Sequence, residues 1–171
     1  MADEGNVTSN LNLDADTLPA AGVISQYVKD LSVENPNAPD CYAWADTPEM
    51  DVQFNIAAHP LQGEVHEVEL KIKLTAKAEA GVAYLVDLTY AGLVGMRNLD
   101  EANMHAFMFA EAPRILFPFA RRVVADAVRD AGFQPLLLEP IDFNGIYLQQ
   151  LAAQAQQADG ADALGEPAGH A

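Results

Sequence analysis

An α+β subunit, built on a four-stranded antiparallel sheet with helices packed on one face, is the fold class this sequence predicts. Three observations predict it. Four segments between Val23 and Tyr90 alternate apolar and polar side chains with period two, the signature of half-buried strands. The third and fourth are joined so closely that antiparallel pairing is the simplest arrangement. After Gly95 the apolar spacing changes to that of helices.

The first strand spans Val23 to Val33, with Val23, Tyr27, Leu31 and Val33 expected on one face and Asp30, Ser32 and Glu34 on the other. Asn35-Pro36-Asn37-Ala38-Pro39 stops it, because proline removes a donor and restricts the residue before it. In the second strand Met50, Val52, Phe54 and Ile56 alternate with Asp51, Gln53 and Asn55. The third alternates His66, Val68, Leu70, Ile72 and Leu74 with Glu67, Glu69, Lys71, Lys73 and Thr75. Lys77 to Gly81 makes a hairpin connection into the fourth, Val82 to Tyr90, where Val82, Tyr84, Val86, Leu88 and Tyr90 oppose Ala83, Leu85, Asp87 and Thr89. Residues 91–95 are expected to break the sheet. One face should then be apolar and covered, the other open and acidic.

A short helix is expected from Leu99 to Ala110 and a longer one from Pro113 to Ala131, with an apolar stripe of Ile115, Phe119, Val123, Val124, Ala127 and Val128. Pro118 falls near its first turns, and Gly132 is placed to end it. A linker with Pro135 and Pro140 follows, and Asp142 can cap a final helix carrying Phe143, Tyr147 and Leu151.

The chain has 171 residues, half of them hydrophobic, enough for one core and short for two. Composition divides it into a flexible N-terminal extension (1–21), one folded domain (22–157) and a disordered acidic tail (158–171). A formal net charge of −16 excludes the basic footprint of nucleic-acid binding and is repelled by anionic membranes. It suits a basic protein partner, whose encounter it would steer, or serves only solubility. Cys41 is the single cysteine, so no internal disulfide can form. The opening MADEGNVTSN lacks the basic start and apolar block of a secretory signal, and no apolar run is long enough to span a bilayer, so a cytoplasmic location is expected.

Candidate chemistry fails on inspection. His66-Glu67-Val68-Glu69-Leu70 begins like a zinc-protease helix, but Leu70 stands where the second histidine is needed and strand periodicity separates His66 from Glu67. The histidines are scattered, and Cys41 beside Tyr42 and Trp44 is more simply a packed or surface thiol than a nucleophile. Gly92-Leu93-Val94-Gly95 lacks the strand–turn–helix setting of a phosphate loop. Glu67 with Glu69, and Asp30 with Glu34, form an open plate rather than a cleft, so raised carboxyl pKa values are not expected. That plate is either an ordinary solvated face or a docking surface for a basic segment. No catalytic residue, cofactor or metal site is expected.

Trp44, Phe107, Met108, Phe109, Phe117, Phe119, Phe133, Leu136 to Leu138 and Tyr147 exceed what one small sheet layer covers. Oligomer burial accounts for most of them; a groove for extended peptide is the functional alternative.

Tyr27 to Pro39, Ala112 to Arg121, Gly132 to Leu136, Pro140 to Phe143 and Tyr147 to Gln150 are long ordered strings, and through them the chain resembles the SecB family of bacterial export chaperones. The resemblance covers about residues 23–153. It implies a homotetramer, a dimer of dimers, that holds unfolded secretory precursors without ATP and delivers them to SecA, the translocase motor. It carries SecA docking onto Asp30, Glu34, Leu85 and Asp87, the last shorter than the glutamate expected there. Client contacts are assigned to Trp44, Phe107, Phe109, Phe133, Leu136 and Tyr147, and tetramer formation to the helix stripe from Ile115 to Val128. An acidic adaptor for one folded partner is the alternative.

Overall fold

A computed structural model describes residues 18–162. Its four strands are β1 (Ala20–Glu34), β2 (Glu49–Pro60), β3 (Val65–Ala78) and β4 (Gly81–Arg97), followed by α1 (Glu101–Ala106), α2 (Ala112–Asp130) and α3 (Phe143–Asp162). The strands form one antiparallel sheet in the order β1-β4-β3-β2. The expected α+β class therefore holds.

Alternation places the core as expected on β3 and β4. Val68, Leu70, Ile72, Leu74, Val86 and Leu88 point to one side and are closed off by Leu116, Ala120, Val124 and Val128 of α2. Each such side chain contributes about 1.5–3 kcal/mol when fully buried. α2 lies over β4 and β3 and reaches β1 less.

Several expectations are corrected. β4 does not stop at Tyr90: Val94, Gly95 and Met96 continue the ladder with Val23, Gly22 and Ala21. Within the segment expected to break the sheet, Gly92 and Gly95 stand where neighbours approach closely. A Cβ on Gly92 would lie 2.9 Å from Leu116 Cδ2, and one on Gly95 3.2 Å from Ile24 Cδ1. The expected separate helices are continuous, because a π-helical turn at Phe107–Glu111 joins α1 to α2. Pro113 has no N–H for the carbonyl of Phe109, and the bonding register loosens by one residue there, with Ala112 N–H donating to Phe107 O. Asp100 caps α1, its carboxylate accepting from Asn103 N at 2.7 Å.

In β1 the register slips twice, between Val23 and Ser25 and between Val28 and Asp30. Tyr27, expected with Leu31 and Val33, consequently lies on the opposite face, opposite Ala91. β1 begins at Ala20, paired with Arg97, and the α3 backbone continues to Asp162. The rest of the expected extension and tail lies outside the described residues.

The α2 stripe divides. Leu116, Ala120, Val124, Ala127 and Val128 are buried, whereas Ile115 and Val123 are half-buried and Phe119 is exposed. On the same side of the sheet, Val28, Leu31 and Val33 of β1 also remain exposed.

Candidate binding surfaces

The open face of the sheet is assembled by register. Asp30 pairs with Thr89, Ser32 with Asp87 and Glu34 with Leu85, while Lys73 of β3 sits on the other side of Asp87. Directly opposed side chains on one face lie about 4.5–5.5 Å apart. Asp30, Glu34, Leu85 and Asp87 are thereby brought together, although they come from strands about 50 residues apart in the chain. With Ser32 and Lys73 they line a shallow hollow of about 240 Å³. Lys73 Nζ is 4.0 Å from Asp87 Oδ2, with both groups more than half exposed, so the pair is weak.

Further along this face the plate is not uniformly acidic. Lys29 Nζ lies 2.6 Å from Glu67 Oε2 and 2.6 Å from Glu69 Oε1. Tyr27 donates its hydroxyl hydrogen to Glu67 Oε1. Glu69, nearly buried, also meets Lys71 at 3.2 Å. The hydrogen bonds from Lys29 hold both carboxyls below the usual glutamate range, and for Glu67 the Tyr27 hydroxyl adds to the effect. Hydrogen bonding to Glu67 and Glu69 in turn holds Lys29 above the ordinary lysine value. These two carboxylates are engaged rather than free.

The expected client residues fall into separate places. Trp44 and Phe133 line a hollow of about 350 Å³ at the end of the sheet, with Tyr42, Pro48, Ala83 and Gly132. Phe133 packs between Tyr42 and Tyr84, ring centroids 5.3 and 4.6 Å away. Burial pushes the Tyr84 hydroxyl pKa up. Cys41, also in the lining, is buried.

The crossover between β1 and β2 is pinned over this hollow by its asparagines. Asn35 Nδ2 donates to Ala131 O (3.0 Å) and to Tyr42 Oη, which donates to Ala131 O (2.7 Å). Asn37 Nδ2 donates to Val82 O (2.8 Å). The Asn-Pro-Asn string thus anchors the crossover against the end of α2 and the start of β4.

Phe109 and Tyr147 meet elsewhere, around His105. The imidazole stacks on Phe109 at 4.5 Å, and its Nδ1 is 2.9 Å from Tyr147 Oη, which ties α3 to the helix before α2. Phe107 and Leu136 are partly buried against the core. Tyr147 is itself buried, so its aromatic face is committed to packing. Tyr42 and Gly132 line the hollow and Tyr84 packs against its Phe133, yet none of the three stands out as a site residue in the sequence, because only the returning chain after α2 brings Phe133 onto Tyr84. Ser32 and Lys73 were legible as open-face residues through alternation alone.

Among the described residues, no group of three or more His, Cys, Asp or Glu could hold a metal ion, and no helix is long and apolar enough to cross a membrane.

Comparison with known proteins identifies the family and the fold. Residues 14–154 match the family model described as preprotein translocase subunit SecB. The protein-export protein SecB of Novosphingobium aromaticivorans is 62% identical over 97% of this chain and 99% of its own. That of Erythrobacter litoralis is 56% identical over the whole of both chains. A solved SecB-like chaperone from Mycobacterium tuberculosis, in complex with an antitoxin peptide, superposes with a TM-score of 0.60 at 20% identity. It covers 71% of this chain and 90% of that one, a likeness of fold.

Proposed function

The chain belongs to the SecB family and has a chaperone role in protein export, and we propose that it holds unfolded secretory precursors in extended form and passes them to SecA. It does so in the cytoplasm, without ATP and without catalysing a reaction, as a homotetramer arranged as a dimer of dimers.

SecA docks on Asp30, Glu34, Leu85 and Asp87. The observation that carries this reading is their convergence on the open face of the sheet, opposite the face that α2 covers. A basic segment laid across Asp30, Glu34 and Asp87 would gain charge complementarity, with Leu85 as an apolar centre. Because the hollow is shallow and exposed, its charges act mainly on encounter rate and salt dependence.

Clients lie along the hollow of Trp44 and Phe133, with the half-buried Leu136, Phe107 and Phe109 extending the path and the buried Tyr147 supporting Phe109 through His105. Aromatic walls suit unrelated extended chains because each ring offers a large contact area with few torsions to freeze. Assembly uses what the subunit leaves uncovered, the Ile115, Phe119 and Val123 row of α2 and the Val28, Leu31 and Val33 strip of β1. Apolar strips of this kind mark interaction surfaces.

The test dilutes a chemically unfolded secretory precursor with and without the protein, in the absence of ATP, and follows aggregation and complex mass by size-exclusion light scattering. Suppression with a stable tetramer–precursor complex is expected. Asp30→Ala with Glu34→Ala should weaken SecA binding and flatten its salt dependence while client capture persists. No suppression by a folded tetramer, or preference for a single folded partner, overturns the chaperone reading in favour of an adaptor.

A further inference from the structure

We propose that Lys29 is a positioning residue for the docking face: it holds the one-residue bulge that turns Asp30, Ser32 and Glu34 to the open side of the sheet beside Leu85 and Asp87. The inference rests on the docking role proposed above. β1 pairs Val28 with Tyr90 and Asp30 with Thr89, which leaves Lys29 as an extra residue against β4. Because strand side chains alternate, one extra residue reverses the phase of everything after it. Regular alternation from Val28 would send Asp30, Ser32 and Glu34 toward α2, and would put Leu31 and Val33 on the open face. The docking set exists only with the bulge in place.

Lys29 supplies a reason for the bulge to sit where it does. Its ammonium reaches from β1 across β4 to two carboxylates of β3, 2.6 Å from Glu67 and 2.6 Å from Glu69. Ala91 of β4, opposite both Tyr27 and Glu69, is small enough to let the side chain pass. Tyr27, two residues earlier, reaches the same Glu67. Both residues must face the open side to do this, so the clamp spans the slip itself. The Glu69 side chain is only 7% exposed, and a carboxylate so placed requires partners. Lys71 and His59, at 3.2 and 3.8 Å, are its other cationic or potentially cationic neighbours.

Positioning and simple charge predict opposite signs here. Lys29 is a positive charge on a face that attracts a basic partner, so removing it should by electrostatics alone tighten binding. Loss of positioning weakens it. The experiment measures SecA affinity for Lys29→Met, Lys29→Arg and Asp30→Ala/Glu34→Ala, with precursor holding and assembly mass as controls and hydrogen exchange of the β1 amides as a local probe. K29M is expected to weaken SecA binding about tenfold, the scale of losing one well-placed interface contact. Precursor holding and tetramer mass should stay at wild-type levels, β1 amides after Val28 should exchange faster, and K29R should restore affinity. Added to Asp30→Ala/Glu34→Ala, K29M should cost nothing further, because it acts through those residues. Unchanged or tighter binding by K29M, while Asp30→Ala/Glu34→Ala binds weakly, overturns the positioning role and leaves the docking role standing. Full affinity in Asp30→Ala/Glu34→Ala overturns both. Should K29M fail to assemble, Glu67→Gln loosens the clamp from β3 and carries the same expectation, with wild-type affinity again refuting it.

Discussion

Replacing Gly92 by alanine places a methyl group where α2 meets the sheet. The new Cβ would stand 2.9 Å from Leu116 Cδ2 and 3.4 Å from Ser25 O. Carbon pairs rest at about 3.5–4.0 Å, so Leu116 must withdraw by most of an ångström. It is fully buried, with Ala120 and Val124 on the next turns of the same helix face, so it has nowhere empty to go. Overpacking of this kind costs about 1–3 kcal/mol. Alanine in place of strand glycine would alone contribute about 0.5–1 kcal/mol of stability, which sets the opposite sign for a site with room. Leu116→Ala should cost about 2–5 kcal/mol through the cavity it leaves. Together the two changes partly cancel, since the Gly92→Ala methyl occupies space Leu116 vacated. A favourable coupling of about 1–2 kcal/mol is expected. Urea unfolding at one fixed protomer concentration reads the wild type and the three variants, a condition that keeps any linkage of assembly to stability constant. Strict additivity, or a G92A protein as stable as wild type, would refute the close approach on which the α2–β4 contact depends.

Other outcomes follow from the same surfaces. Lys73→Gln removes the cation facing Asp87 and should tighten SecA binding about two- to fivefold, the scale of an exposed ion pair, as read by titration at low salt. Glu67 and Glu69 have lowered pKa values, so their contribution is complete above the ordinary carboxyl value of about 4.3 and is lost as pH falls through the folded-state values. Lys29, with a raised value, contributes fully below about pH 10.4 and fades only at higher pH. A Tm–pH series should therefore show an acid limb that K29M flattens; identical limbs would count against the clamp. Gly132→Ala combines φ +93° with Tyr42 atoms 2.9 Å from the new Cβ, and should destabilise by about 1–3 kcal/mol in denaturant melts. Phe133→Ala removes the ring between Tyr42 and Tyr84 and should reduce precursor capture while SecA binding by the empty chaperone is kept.

Much of the candidate site is legible in the residue pattern. Alternation places Ser32, Glu34, Asp87 and Lys73 on a polar face, because a strand's two sides are written in its own neighbours. The aromatic surplus announces apolar surfaces but not their partition. Trp44 and Phe133 come together only because the Asn35 and Asn37 hydrogen bonds lay the crossover against the end of α2 and the start of β4. His105 joins Phe109 to Tyr147 across 42 residues, a contact that no local period encodes.

By itself the sequence determined the number of strands, their inner faces on β3 and β4, the α+β order and the family, since each is carried by short-range periodicity or by ordered strings of residues. Tertiary structure alone decided the side on which Tyr27 lies, the continuation of β4 through Gly92 and Gly95, and the division of the α2 stripe into a buried and an outer row. The physical reason is common to all three. A bulge, a close approach and a buried row are properties of two elements in contact, and the residue pattern of either one alone is compatible with both outcomes.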